Sequence, residues 1–252
     1  QGSPTFITSF FATISKIFSI IALCRILEIA SVNPLIWLSI KQIIILIAIT
    51  SLAIGAFGAI KQANIKRLFA YSSIAHVGFI LLAAIADASF ERFSVIIFYL
   101  LIYSILSLAG FLMLSLTISK DNSDRFLTIN NLAGASKRSP LFAFNFAVIM
   151  FSTAGIPPLA GFFSKLLVIN QLIKSNLIIV AVVSILFTLV SAYYYLRIIK
   201  TMYFDDLTKE TVEIKKFSQS FLIHGVVLFV VLANIFFLLY FEKLSQIINN
   251  LK

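Results

Sequence analysis

Two lysines lie in the middle of long apolar stretches, where a charged side chain is unexpected. Lys16 is flanked by the apolar residues that follow Phe6, and Lys165 comes shortly after Gly155-Ile156-Pro157-Pro158. A lysine at the centre of a membrane-spanning helix costs about 2.5–3.5 kcal/mol on insertion scales. Ionisable groups kept at such a depth are most often used to move an ion or a proton. We therefore interpret Lys16 and Lys165 as candidate proton carriers.

The residues around Lys16 predict a polar face on its helix. Ser9, Thr13, Lys16 and Ser19 follow one another at steps of four, three and three, which places them on one side of an α-helix. Hydroxyl groups there could hold water beside the ammonium, and burial disfavours the charged form of a lysine, so a proton could be released and regained. The alternative is a structural lysine paired with a carboxylate. Glu28 is too far along the helix for that role, so such a partner would come from another helix or chain.

A histidine in a second apolar stretch is a candidate relay between the two lysines. His76 lies one helical turn from Ser72 and Ser73, which gives it a polar surrounding. Histidine titrates near neutral pH and can both accept and donate a proton. The alternative is a histidine that only completes the hydrogen bonding of a core.

Two groups of tyrosines predict packing rather than chemistry. Tyr99, Tyr103 and Ser107 align at steps of four, which favours close contact with a neighbouring helix and leaves a polar wire as the alternative. The run Tyr193-Tyr194-Tyr195, followed by Arg197, is typical of an aromatic belt at a membrane interface.

Composition assigns the chain to the membrane class. Its 252 residues are 60% hydrophobic and 12% charged, with a mean hydropathy of +1.04, which is unlike a soluble domain of this size. The single cysteine, Cys24, excludes disulfides within the chain and cysteine-held iron–sulfur or zinc sites. The sequence has no glycine-rich phosphate loop. We expect no cofactor and no metal in this chain.

The apolar runs predict an all-α, polytopic bundle of about seven membrane-crossing helices in one domain, residues 1–252. A crossing needs about 20 apolar residues, and the predicted segments are 5–31, 35–60, 66–87, 92–118, 139–174, 176–200 and 217–243. Segment 139–174 is too long for one straight crossing, since its 36 residues would span ~54 Å against a hydrocarbon core of ~30 Å.

The sequence Gly155-Ile156-Pro157-Pro158 predicts a break in that long segment. Two prolines remove two backbone donors and clash with the preceding turn. Helices broken at membrane depth mark ion sites in transporters, although a proline kink that only shapes packing is the alternative. We take Gly155, Pro157 and Pro158 as the helix break.

The positive charges predict the orientation of the bundle. Seven crossings place twelve Lys and Arg residues on the side of residue 1 and six on the other. That bias favours the cytoplasmic or matrix side for residue 1. The net charge of +10 is then explained by the orientation of the loops and by contact with lipid headgroups, and not by nucleic-acid binding. Lys66 and Arg67 are predicted to lie at headgroup level.

Four segments together are similar to one family. The chain resembles chain 2 of NADH:ubiquinone oxidoreductase, an antiporter-like subunit of respiratory complex I, at residues 1–5, 12–16, 64–78 and 154–165. Each motif alone is shared with sister subunits and with cation antiporters. Chain 4 relatives usually have a glutamate at the position of Lys165, and chain 5 relatives commonly have an acidic residue where Leu166 stands.

The resemblance implies an antiporter-like fold of fourteen helices, of which this chain would be the last seven. A separate chain would then supply the N-terminal half. Lys16 would be the central lysine, Lys165 the terminal lysine on the broken helix, and His76 would lie on the hydrated polar axis between them. A signal from quinone reduction elsewhere would change the protonation of the buried lysines.

The same resemblance implies partners and a location. FMN, iron–sulfur clusters and ubiquinone would be bound elsewhere in the complex, beside other membrane-arm subunits and lipids. The location would be the mitochondrial inner membrane, multi-pass with the N-terminus in the matrix, or alternatively a bacterial plasma membrane. Two other functions stay open, a subunit of a multi-subunit cation/proton antiporter and a structural membrane subunit that no longer pumps.

Overall fold

The computed structural model describes residues 5–86, 89–117, 128–206 and 221–237. The predicted loop at residues 1–4, the parts 120–127 and 207–216 of the polar connections, and both ends of the last predicted segment (217–220 and 238–243) lie outside the described residues.

The described part of the chain is helical, apart from turns, short connections and an isolated bridge between Asn64 and Thr128. The helices are α1 (Thr5–Ala30), α2 (Pro34–Ile60), α3 (Ile65–Ala84), α4 (Ser89–Ser115), α5 (Ala135–Arg138), α6 (Pro140–Ala154), α7 (Ala160–Lys174), α8 (Ile178–Phe204) and α9 (Phe221–Ile235). The predicted all-α membrane fold is confirmed. By length and composition, α1, α2, α3, α4 and α8 could cross a membrane, and α6 and α9 are shorter apolar helices.

The starts of two helices follow from single asparagines. The Asn33 side chain accepts hydrogen bonds from the backbone N–H groups of Leu35 and Ile36, with Pro34 in the first turn of α2. The Asn64 side chain accepts from the N–H of Arg67 at the start of α3. Such caps satisfy donors that have no partner within the helix.

Helix α3 is the most buried of the five long helices, because small residues let α2 approach it closely. A Cβ on Gly55 would lie 2.5 Å from the backbone nitrogen of Ala75, and a Cβ on Gly78 would lie 2.9 Å from the carbonyl oxygen of Ala48. Close contact through small residues is the usual way in which membrane helices associate. The bundle is therefore built around the helix that carries His76.

The apolar core forms two main clusters. One is built chiefly from α3, α4, α6 and α8, and the other from α1, α2, α3, α4 and α7. Tyr195 belongs to the first cluster, and Tyr99 and Tyr103 belong to the second. These tyrosines all contact His76, so His76 lies where the two clusters meet.

Candidate proton-transfer axis

Lys16 reaches from α1 to groups on α3 and α4. Its Nζ donates to the carbonyl oxygen of Ser73 at 3.3 Å and to the hydroxyl of Tyr103 at 3.2 Å. The ammonium also lies 5.4 Å from the centre of the Tyr103 ring, within the range of a cation–π contact. The Tyr103 hydroxyl in turn donates to the carbonyl of Ala12 at 3.3 Å. The half-buried lysine is thus held by neutral partners.

The predicted polar face on α1 is present only in part. Ser9 and Thr13 are buried, and the Thr13 hydroxyl donates to the Ser9 carbonyl at 2.8 Å. Ser19 is exposed and donates to the carbonyl of Ser15 at 2.8 Å. The structure therefore brings Ser9 and Thr13 to the protein side of the helix and leaves Ser19 outside the site.

The two predicted serines of α3 have different partners. The Ser72 hydroxyl is hydrogen-bonded to the hydroxyl of Tyr195. The Ser73 hydroxyl donates to the carbonyl of Ala70 at 2.6 Å, and its own carbonyl accepts from Lys16. Ser72 thus extends the site toward α8, and Ser73 extends it toward α1.

His76 contacts tyrosines from two other helices, α4 and α8. Its Nδ1 is 2.9 Å from the Tyr99 hydroxyl, and its Nε2 is 3.5 Å from the Tyr195 hydroxyl. The ring centre of Tyr103 lies 4.8 Å from that of the imidazole. His76 is 7% exposed; the Tyr103 ring beside it carries the hydroxyl that binds Lys16, and His76 and Lys165 line the same small cavity. His76 is therefore the central group between the lysines.

Lys165 is bound to the end of the half-helix that precedes it. Its Nζ donates to the carbonyl oxygens of Thr153 at 3.0 Å and Ala154 at 2.8 Å, and the residue is 5% exposed. Carbonyls in the last turn of a helix have no partner within it and carry the negative end of the helix dipole. The ring of Phe79 lies 5.7 Å away. The site can therefore hold an ammonium without a carboxylate.

Gly155 makes this arrangement possible. It ends α6 with a φ of +87°, a conformation that favours glycine. A Cβ at this position would lie 3.0 Å from the Cδ of Lys165 and 3.2 Å from its Nζ. Pro157 and Pro158 follow in the connection between α6 and α7. The predicted break therefore creates the place in which the lysine side chain lies.

Two small cavities, each about the size of a water molecule, adjoin these groups. The first is lined by the apolar side chains of Phe69, Leu106 and Met150 and by residues with hydroxyl groups, Ser72, Tyr103, Ser107, Thr153 and Tyr195. The second is lined by residues that include His76, Lys165 and again Tyr195. Tyr195 borders both cavities, and its hydroxyl contacts Ser72, which lines the first, and His76, which lines the second.

Ion pairs in the described ranges lie away from this axis. Arg25 pairs with Glu28 at 3.1 Å, Lys137 with Asp206 at 3.1 Å and Lys200 with Asp205 at 2.8 Å. The hydrogen bond from Lys200 lowers the pKa of the Asp205 carboxyl below its usual value. In the part of the chain that the structure describes, neither Lys16 nor Lys165 pairs with a carboxylate.

The prediction of an interfacial tyrosine belt was wrong for two of its three members. Tyr193 is 59% exposed, but Tyr194 and Tyr195 are 1% exposed because their face of α8 packs against the bundle. Lys66, predicted at headgroup level, is buried within the protein, and its depth in the membrane stays a prediction. Ser191 precedes Tyr195 by four residues, and both line the second cavity; that spacing was the available signal for a polar face on α8.

The α4 tyrosines belong to the polar site as well as to the packing. Tyr99 and Tyr103 are both buried, and each contacts His76 or Lys16 through its hydroxyl. This helix therefore makes polar contacts as well as packing contacts, and the polar-wire alternative stays a prediction.

The family model described as NADH:quinone oxidoreductase/Mrp antiporter, TM, matches residues 1–191. The chain belongs to this family. This chain is 44% identical over 211 residues to "NADH-quinone oxidoreductase subunit N" of Beijerinckia indica subsp. indica. The match covers 82% of this chain and 42% of the relative. It is 37% identical over 252 residues to the protein of the same name from Pelagibacter ubique, covering 100% of this chain and 51% of that relative.

A solved structure agrees with these relatives. A chain in the structure of respiratory complex I from Thermus thermophilus with bound aureothin superposes with a TM-score of 0.77 at 30% identity, covering 95% of this chain and 50% of that one. The predicted resemblance to the complex I antiporter-like subunits is confirmed. The chain spans about half the length of the curated relatives it matches.

Proposed function

We propose that this chain is a proton-translocating membrane-arm subunit of NADH:quinone oxidoreductase (complex I), coupled to quinone reduction elsewhere in the complex. The observation that carries the proposal is a buried polar network in which Lys16, His76 and Lys165 come together from three helices. Intramembrane ionisable groups that face the protein interior and adjoin water-sized cavities are suited to passing protons. The family membership supports the same function.

In the proposed mechanism, a proton arriving at Lys16 passes toward the Tyr103 hydroxyl and the first cavity. Ser72 and Tyr195 carry it to the second cavity, which borders His76 and Lys165. A hydroxyl can accept one proton while it donates another, so each tyrosine or serine can act as a relay without becoming charged.

The charges of the two lysines couple the steps. His76 lies between them, next to Tyr103 on the side of Lys16 and on a cavity shared with Lys165, and like charges at short range in a poorly screened interior disfavour one another. Protonation of one lysine therefore promotes release of a proton from the next group, so that the groups titrate as a set. Lys165, held by the Thr153 and Ala154 carbonyls, is the last protonatable group of this set.

We propose that the chain itself binds no redox group and no metal. FMN, iron–sulfur clusters and ubiquinone are then carried by other subunits, in agreement with a sequence that has one cysteine and no phosphate-binding loop. The contribution of this chain to NADH:quinone reductase activity is the movement of protons and not the transfer of electrons.

The proposed setting is the membrane arm, in contact with other membrane-arm subunits and with lipids. The membrane is the mitochondrial inner membrane or a bacterial plasma membrane, and the bacterial relatives favour the latter. In the proposed orientation, the side of residue 1 faces the matrix or cytoplasm, and the excess of Lys and Arg predicted on that side supports it.

The experiment that tests this function compares Lys16→Ala and Lys165→Ala with the parent in sealed membrane vesicles. Each variant should slow NADH-driven proton pumping while the complex still assembles. Co-purification of the chain with flavin and iron–sulfur subunits would support the membrane-arm setting. Parental pumping in both variants would contradict the proposal and favour a structural subunit.

A multi-subunit cation/proton antiporter is the second candidate, because the matching family also covers Mrp antiporters. That function requires no redox link. It predicts sodium-dependent proton exchange in vesicles that lack NADH, and the membrane-arm function predicts none.

A further inference from the structure

Asn234 is a buried polar residue near the end of helix α9, which is apolar from Gly225 to Ala233. Its side chain is 5% exposed, and its Oδ1 accepts two hydrogen bonds, from the backbone N–H of Ala160 at 2.9 Å and from the hydroxyl of Ser152 at 3.1 Å. One oxygen of α9 thus contacts both the end of α6 and the start of α7. The region of the chain that matches the family model ends at residue 191, before α9 begins.

Ser152 extends the same connection. Its hydroxyl oxygen accepts from the N–H of Gly161 at 3.1 Å while its proton goes to Asn234. A Cβ on Gly161 would overlap the carbonyl oxygen of Ser152, so α7 starts in direct contact with the last turn of α6. The two half-helices are joined by side chains as well as by the Pro157-Pro158 connection.

These contacts replace the usual cap of α7. The first N–H groups of a helix have no partner within it and are commonly satisfied by a polar residue at the N-cap. Leu159 occupies that position and makes no side-chain cap. Asn234 and Ser152 therefore satisfy the donors of Ala160 and Gly161 from two other helices.

The position of this connection links it to the lysine. Thr153 and Ala154, whose carbonyls accept from Lys165, directly follow Ser152. Lys165 itself lies about one turn after Ala160 and Gly161. The hydrogen bonds of Asn234 thus fix both sides of the site, the acceptors on α6 and the donor on α7.

We propose that Asn234 is a positioning residue that sets the geometry in which Lys165 binds the carbonyl end of α6. The proposal rests on the proposed function and deepens it. Without the Asn234 oxygen, the N–H of Ala160 and the Ser152 hydroxyl lose a buried acceptor, and α7 can shift relative to α6. Lys165 then loses its fixed distance to Thr153 and Ala154, and proton transfer at this end of the axis slows.

The test uses the assembled complex in sealed vesicles. Asn234→Leu keeps the approximate size and removes the acceptor, Asn234→Asp keeps an acceptor oxygen, and Ala233→Leu changes the exposed neighbour on α9 as a matched control. We expect Asn234→Leu to lower NADH-driven pumping several-fold, toward the rate of Lys165→Ala, and to change its pH profile. Asn234→Asp should pump faster than Asn234→Leu, and Ala233→Leu should match the parent in rate and in pH profile.

Parental pumping with an unchanged pH profile in assembled Asn234→Leu would overturn the proposal. If Asn234→Leu lowers the amount of complex, Ser152→Ala tests the proposal instead, since it removes the hydroxyl between Asn234 and Gly161 without added bulk. A parental rate and pH profile in Ser152→Ala would also overturn the proposal. Failure of the proposed function is recognised separately, because Lys165→Ala would then pump at the parental rate. Slow pumping in Lys165→Ala with parental pumping in Asn234→Leu would refute the role of Asn234 alone.

Discussion

The ammonium nitrogen of Lys165 lies 2.8 Å from the carbonyl oxygen of Ala154, the last residue of the half-helix that precedes the lysine. The helix break and the charged residue are therefore parts of one site. A carbonyl end supplies a partial negative charge that does not change with pH, so the lysine can exchange a proton while its partners stay the same.

Replacement of Lys165 by arginine should separate charge from proton exchange. Arginine keeps a positive charge but does not release a proton in proteins. We expect Lys165→Arg to slow pumping nearly as much as Lys165→Ala, measured as vesicle acidification driven by NADH. Lys174→Arg, on the last turn of the same helix, is the control and should match the parent. Parental pumping in Lys165→Arg would contradict proton exchange at this residue.

Gly155→Ala should disturb the lysine through both the backbone and the added methyl group. The left-handed conformation costs a residue with a Cβ roughly 1–2 kcal/mol, and the methyl carbon would meet the Lys165 side chain at 3.0 Å. We expect slower pumping and a lower thermal stability of the purified complex.

Gly225→Ala is the control for that change, because a Cβ there meets no atom of the described residues within 4 Å and its φ is not positive. It should leave both pumping and stability unchanged. Equal losses in the two variants would mean that the effect at Gly155 is not specific to the lysine site.

Tyr195→Phe should interrupt the connection between the two cavities. The change removes only the hydroxyl that contacts Ser72 and His76 and keeps the buried ring. We expect slower pumping with normal assembly, measured by native gel and by NADH oxidation with an artificial acceptor. Tyr193→Phe, on the exposed face of α8, is the control and should pump like the parent. Equal pumping rates in the two variants would show that the Tyr195 hydroxyl does not take part in proton transfer.

Tyr103→Phe should act through Lys16. The tyrosine hydroxyl accepts from the Lys16 Nζ at 3.2 Å, so its loss leaves the lysine without one of its partners. We expect Tyr103→Phe to slow pumping and to add little to the effect of Lys16→Ala, since residues of one network are not additive. A double variant whose effect equals the sum of the two single free-energy changes would show that the residues act independently.

Much of the fold could be predicted from the sequence, because a bilayer restricts what a chain can do. A crossing needs about 20 apolar residues, and an unsatisfied backbone is excluded from lipid. These rules predicted the apolar segments and the break at Gly155-Ile156-Pro157-Pro158. They also singled out Lys16, His76 and Lys165, since each departs from an apolar surrounding.

The partners of those residues were decided by the tertiary structure. Helices of this chain are apolar on most faces, so periodicity does not separate the face toward lipid from the face toward protein. For that reason the sequence pattern predicts a membrane-interface position for Tyr195 and a place in the polar site for Ser19. It does not single out Asn234.

The sequence by itself thus determined which groups cost energy in a membrane, because that cost depends on residue type and depth. Only the packing of α3, α4, α7, α8 and α9 decided which neutral groups meet them. Carbonyl oxygens, hydroxyls and an asparagine oxygen satisfy buried donors only at hydrogen-bond distance, and those distances are set between helices that are far apart in the chain.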